Sequence, residues 1–218
     1  MSQSVFLPNY TIGTDAYEKA NGIVKEYGKK VVLIGGKTAL SKAENKIKAA
    51  LTQEIEVIAS LWYGGNSTYG NIEQLIQHES VQKADVLFAV GGGRACDTVK
   101  VIGEKLAKPV FPFPTIGSNC SPVTAVCVIY NEEGVMDGLF FPSKPPVHTF
   151  IDTAIIAEAP DKYLWAGIGD ALSKEVESTF SARGDDLGYT DRLGIQIGKM
   201  CIDRLLTYGT QALKDSAD

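Results

Sequence analysis

Long apolar runs, histidine, cysteine motifs and surplus positive charge are all scarce in this chain. No segment approaches the ~20 consecutive apolar residues needed to span a bilayer. The opening MSQSVFLPNY lacks the basic stretch and apolar run of a signal peptide, so a soluble, cytoplasmic protein without a membrane partner is expected. Lys and Arg number 21 against 26 Asp and Glu, a net charge of −5. That balance leaves no basic face to attract nucleic acid or an anionic membrane. Four cysteines, Cys96, Cys120, Cys127 and Cys201, show neither CxxC spacing nor the density of a small secreted scaffold. They are expected to be reduced thiols, mostly buried as small hydrophobes. The two histidines, His78 and His148, fall in a helical stretch and at the start of a strand. Neither sits in a metal-ligand motif, and each is assigned a surface or packing role.

What is present is ordinary globular sequence. With 44% hydrophobic and 22% charged residues, composition gives no argument for disorder. A length of 218 residues suits one large domain, or one domain and part of another. The first two thirds alternate β-branched runs with amphipathic stretches, the signature of βαβ units around a parallel sheet. Lys30 to Ile34 reads as a buried strand, and Leu40, Ile47 and Leu51 then share one helical face. Glu54 to Trp62, Asp85 to Val90 and Pro109 to Phe113 read as further strands. Between them, Ile72, Leu75 and Ile76, and then Ala95, Val99, Ile102 and Leu106, mark two helices. Ala125 to Tyr130 and Val135 to Phe141 flank a turn and predict a hairpin, followed by a strand over Val147 to Asp152. From Pro160 onward the pattern is helical, with stretches over Tyr163 to Ser181 and Gly188 to Leu213. The expected division is an α/β domain over 1–160 and the opening of a helical domain over 161–218. Two helices alone bury little surface, so the isolated chain is expected to be marginally stable or to associate as a homo-oligomer through them.

Three places carry chemistry. The strand ending at Val90, the triplet Gly91-Gly92-Gly93 and the helix from Arg94 form a phosphate cradle: glycines let a phosphate approach the main chain, and the helix start supplies free N–H groups and positive potential. A steric role for the glycines is the plainer alternative, and the triplet is neither a P-loop nor GxGxxG. Asp97 and Lys100, three residues apart, share a face near that end. They read either as a solvated ion pair or as a site where the lysine reaches a ligand phosphate. Pro114 to Pro122 groups small polar side chains after a strand, at the edge where open α/β sheets bind ligands. Asp170, within Ala166 to Glu177, reads as a helix N-cap or as a functional carboxylate.

In combination and in this order, IGGKTAL, GGGRACDTVK, PTIGSNCSPVTAVCVIY, FIDTAIIAEAP and GIGDALSKEVE resemble the glycerol dehydrogenase branch of the iron-containing alcohol dehydrogenase family across nearly the whole chain. The resemblance implies a Rossmann-like domain that binds NAD or NADP, then an all-helical domain holding a catalytic divalent metal, Zn or Fe, in a dehydroquinate synthase-like architecture. It implies that Gly92, Gly93, Arg94 and Asp97 surround the dinucleotide's phosphates. It further implies that Thr115, Ser118, Thr124, Val126 and Tyr130 line the cofactor and that Asp170 binds metal. The activity implied is Lewis-acid-assisted hydride transfer from an alcohol or polyol.

The sequence departs from that pattern in three places. Cys120 stands where the glycerol dehydrogenase pattern has a substrate-contacting aspartate, which makes it a substrate-pocket candidate that hydrogen-bonds a polyol poorly. Gly36-Lys37 stands where NAD-preferring members carry an aspartate, which leaves NADP open. The family's two histidine ligands lie well downstream of the aspartate, and no match to them precedes Asp218. Two other readings therefore stand beside the dehydrogenase: a nucleotide-binding or interaction module without turnover, and a reaction like that of dehydroquinate synthase or glycerol-1-phosphate dehydrogenase.

Overall fold

A computed structural model describes residues 5–182 and 186–215. The elements in order are β1 (Tyr10–Gly13), α1 (Ala20–Val24), β2 (Lys30–Gly35), α2 (Lys37–Ala50), β3 (Glu56–Trp62), α3 (Tyr69–Ile76), α4 (Glu79–Lys83), β4 (Val86–Gly91), α5 (Gly93–Leu106), β5 (Val110–Pro114), β6 (Cys127–Tyr130), β7 (Met136–Phe140), β8 (Thr149–Asp152), α6 (Thr153–Ala157), α7 (Asp161–Ser181) and α8 (Tyr189–Asp215). They divide into two compact units. One comprises Phe6–Ile116 with Cys120–Ile156, and the other holds the described residues from Ala157 onward together with Gly117–Asn119.

The larger unit is built on a parallel sheet of order β3-β2-β4-β5. Strands β2, β4 and β5 are apolar and buried along nearly their whole length because both faces are covered, while edge strand β3 is half-buried. Val31, Leu33, Phe88 and Val90 point to one side, into a cluster with Leu40, Ala43 and Ile47 of α2. Val32, Ile34, Leu87 and Ala89 point to the other, against Ile72 of α3 and Val99 and Ile102 of α5. Alternation at period two, each register feeding a different helix layer, is what fixes the doubly wound arrangement.

The sheet stops at β5 for a reason visible in its sequence. The amide of Thr115 donates to Gly91 and that of Leu87 to Pro109, so odd-numbered residues of β5 face β4. Even-numbered residues face β8, as the Val147 amide donating to Val110 shows. Pro112 and Pro114 lie in that even register and have no N–H to offer. Strand β8 packs beside β5 but forms its parallel ladder with β1.

Several elements differ from the sequence expectation, among them the short helices α1 and α6, which were not expected, and β8, which starts at Thr149 rather than Val147. Strand β1 was not foreseen. The third strand starts at Glu56, because Thr52 to Glu54 turn away from the sheet. The hairpin of β6 and β7 is antiparallel but shorter than expected, with an irregularity between Ile129 and Tyr130. Its turn closes through the Gly134 amide on the Asn131 carbonyl at 3.0 Å.

In the smaller unit α7 packs on α8, yet no residue of α7 is buried. Trp165, Val176 and Phe180 on α7, with Ile197, Met200 and Leu206 on α8, are exposed. Gly167 lies against the backbone of Gly117: a Cβ built on it would be 1.7 Å from that carbonyl oxygen.

Candidate functional site

The chain leaves β2 toward β3 on one side and returns to β4 on the other, so the order reverses between β2 and β4. Open α/β sheets bind ligands in the crevice outside the carboxyl ends of such a strand pair. Here the two ends touch, the Gly36 amide donating to the Val90 carbonyl at 3.3 Å. Gly91 turns the chain at φ +142, a conformation that side chains disfavour. A Cβ there would also lie 3.2 Å from that of Ala95 and 3.4 Å from that of Ala39.

Two helices start side by side at this crevice. Gly36 caps α2 and Gly92 caps α5, and neither cap has a side-chain hydrogen bond. The amides of Gly93, Arg94 and Ala95 have no acceptor within α5, as the first turn of any helix requires. These donors, with the positive end of the helix dipole, suit an anion. Arg94 is exposed beside them, its guanidinium carbon 4.7 Å from the centroid of the Tyr130 ring. Lys37, at the start of α2, stands over the Trp62 ring at 4.6 Å. Both cations are held by aromatic faces at the mouth of the crevice.

Behind the mouth, Asp97 and Lys100 form a buried ion pair at 2.9 Å, their side chains 7% and 2% exposed. The solvated alternative is excluded. The Asp97 carboxylate accepts from the Ser121 hydroxyl at 2.6 Å and from the Val128 amide at 3.1 Å. Lys100 donates to the carbonyls of Ser121 (2.8 Å), Thr124 (3.1 Å) and Val126 (2.6 Å). Sequence spacing suggested an ammonium free to reach a phosphate. In the folded chain it is committed to the loop that follows β5. Sequence reasoning missed Ser121 and Val128 as the partners of Asp97, and no local signal points to them. Two nearby thiols, Cys96 and Cys127, are buried, and burial pushes each up to about 12, which makes them inert at neutral pH.

The remaining candidates fall into two groups. Thr115 follows β5, buried, with its amide on the Gly91 carbonyl at 3.3 Å. Thr124 and Val126 lie in the loop that Lys100 holds, and the Tyr130 amide donates to the Ser67 carbonyl at 2.9 Å. Gly92, Gly93, Arg94, Asp97, Lys100, Thr115, Thr124, Val126 and Tyr130 thus share the larger unit, as does Cys120, which is exposed. Ser118, whose hydroxyl accepts from the Asn119 side-chain Nδ2 at 3.3 Å, and Asp170 belong to the smaller one.

Asp170 lies in the middle of α7, so the N-cap reading is wrong. Its Oδ1 pairs with Lys174 at 3.0 Å. Among the described residues no group of three or more His, Cys, Asp or Glu could hold a metal. The residues present therefore do not fit a closed divalent-metal site, which takes three or more protein ligands. His148 bonds Thr11 at 2.9 Å and lies against Phe150. His78 caps α4, accepting from the Ser80 amide at 3.2 Å. Both histidines are structural.

Residues 8–153 match the family described as iron-containing alcohol dehydrogenase. Glycerol dehydrogenase of Pseudomonas putida is 29% identical over 208 residues, 94% of this chain and 57% of that protein. Glycerol dehydrogenase of Thermotoga maritima is 37% identical over 158 residues, 69% of this chain and 42% of that one. The crystal structure of glycerol dehydrogenase from Schizosaccharomyces pombe superposes with a TM-score of 0.85 at 27% identity, covering 99% of this chain and 56% of that structure. The chain spans roughly half the length of the curated relatives it matches.

Proposed function

The chain belongs to the iron-containing alcohol dehydrogenase family, and from that premise we propose that it is the nucleotide-binding portion of an NAD(P)-dependent alcohol or polyol dehydrogenase. The observation that carries this reading is the switch-point crevice, where the start of α5 at Gly92 and Gly93, without a side-chain cap, and exposed Arg94 together offer an anion main-chain amides, the positive end of a helix and a cationic side chain. In this reading the phosphates of the dinucleotide rest on the first-turn amides of α5, with Arg94 as their forked cationic partner. Thr115, Thr124, Val126 and Tyr130, all of the larger unit, line the remainder of the cofactor. When bound, the dinucleotide supplies the hydride acceptor.

Lys37 takes the place of a carboxylate that would repel a ribose phosphate, so NADP is accepted as well as NAD. Cys120 presents a thiol, a weak hydrogen-bonding group, and the substrate class therefore extends beyond glycerol to alcohols with fewer hydroxyls. Asp170 is the one residue of the described chain assigned to a metal. Since its surroundings do not complete a site, no chemical step is derived through that ion.

The test is turnover of the protein with NAD and NADP against alcohols, polyols including glycerol, and sugar phosphates, with Zn2+ or Fe2+ added. Alcohol-dependent reduction of the dinucleotide supports the dehydrogenase. Dinucleotide binding without turnover on any substrate favours the binding module, and turnover on sugar phosphates alone favours the synthase-like chemistry.

A further inference from the structure

We propose that Asp97 and Lys100 are positioning residues: the pair presets the Ser121–Val128 segment in the cofactor-free protein, and neither side chain touches the dinucleotide. The inference rests on the reading above for the identity of the ligand, but its geometry stands apart from it. An ammonium has three N–H donors. Four oxygens surround that of Lys100 within 3.1 Å: Asp97 Oδ1 and the carbonyls of Ser121, Thr124 and Val126. No donor is left for a phosphate. The carboxylate is likewise engaged on both oxygens, by Lys100 and the Ser121 hydroxyl on Oδ1 and by the Val128 amide on Oδ2.

The two side chains therefore grip one segment from both ends. Lys100 gathers three carbonyls of the segment, and Asp97 fixes the hydroxyl at the start and the amide at the finish. That hydroxyl also lies 3.2 Å from the Gly93 carbonyl, which puts the start of the segment against the cradle. Removing two charges from water is costly, and apolar residues of equal volume would stabilise the fold as well or better. What such residues could not supply is a set of directed bonds that hold a loop open beside α5. Thr124 and Val126, proposed to line the cofactor, sit in the gripped segment. A loop ordered before binding lowers the entropic cost of taking up the ligand.

The experiment measures amide hydrogen exchange of the full chain without dinucleotide, together with NADH affinity. In the double variant Asp97→Asn/Lys100→Met, which leaves no unpaired charge, amides of Val123, Thr124 and Val128 are expected to exchange at least tenfold faster. Those of β2 and β4 should be unchanged, and NADH should bind about tenfold more weakly. Ser121→Ala, which removes one grip and keeps the ion pair, should accelerate the same amides by a few-fold; it serves if the double variant does not fold. Unchanged exchange in this segment, in a folded variant that has lost NADH affinity, would overturn the proposal and return Lys100 to the phosphates. Failure of the unsubstituted chain to bind NADH would instead refute the functional reading while leaving the exchange result to decide the grip.

Discussion

Arg94→Gln separates binding from folding at the proposed phosphate cradle. Arg94 is exposed, with its guanidinium carbon 4.7 Å from the centroid of the Tyr130 ring. Losing an exposed cation–π contact costs about 0.5–1 kcal/mol, and a chain of this size shifts its Tm by about 2–4 °C per kcal/mol. The expected drop in Tm is therefore at most about 4 °C. A charge-assisted hydrogen bond to phosphate contributes roughly 1.5–3 kcal/mol, so dissociation of NADH should rise about 10- to 150-fold. Arg94→Lys keeps the charge but loses the fork, and should recover only part of the affinity. Because the Debye length falls from about 10 Å at 0.1 M salt to about 3 Å at 1 M, the gap between Arg and Gln should narrow in 1 M NaCl. Isothermal titration at both salt concentrations, beside thermal unfolding, gives every quantity needed. Equal NADH affinity for Arg94→Gln and the unsubstituted chain at low salt would refute the cradle.

Other substitutions report on neighbouring parts of the account. Lys37→Glu should weaken NADPH binding about tenfold while leaving NADH nearly unaffected, measured by competitive titration. Gly167→Ala should destabilise the α7–α8 unit by about 1–3 kcal/mol, seen in thermal unfolding, because its methyl meets the Gly117 carbonyl oxygen. Asp85 accepts the amides of Lys30 and Lys29 at 2.8 and 2.9 Å, and these bonds hold its carboxyl below the usual carboxylate range. Its folded pKa is depressed, so its contribution is full above the unfolded value of about 3.9 and lost as pH falls through the folded value. Asp85→Asn should flatten the dependence of Tm on pH in that acid window.

How much of this could be read from the sequence depended on the range of the interaction. Strands β2 and β4 and the apolar faces of α2 and α5 are local patterns, and residues such as Val99 and Ile102 are buried as their spacing demands. Strand β1 was invisible because four residues, Tyr10–Gly13, become a strand only by pairing with Thr149–Asp152 from the far end of the unit. The Asp97–Lys100 pair shows the same limit at the site. A spacing of three is shared by solvated and buried pairs, and the Ser121–Val128 segment that decides between them is distant in sequence. Cysteine burial divided evenly, since Cys96 and Cys127 are buried but Cys120 and Cys201 are exposed. Asp170 read either as a cap or as a functional carboxylate, and the continuation of α7 from Asp161 to Ser181 excludes the cap.

The central claim is that the crevice between β2 and β4 holds a nicotinamide dinucleotide. Titration of the 218-residue chain with NADH and NADPH, followed by reduced-nicotinamide fluorescence and by competition with ADP, tests it most directly. The account predicts saturable one-to-one binding of both dinucleotides that ADP displaces. A chain that is folded by circular dichroism and binds neither at millimolar concentration would contradict it.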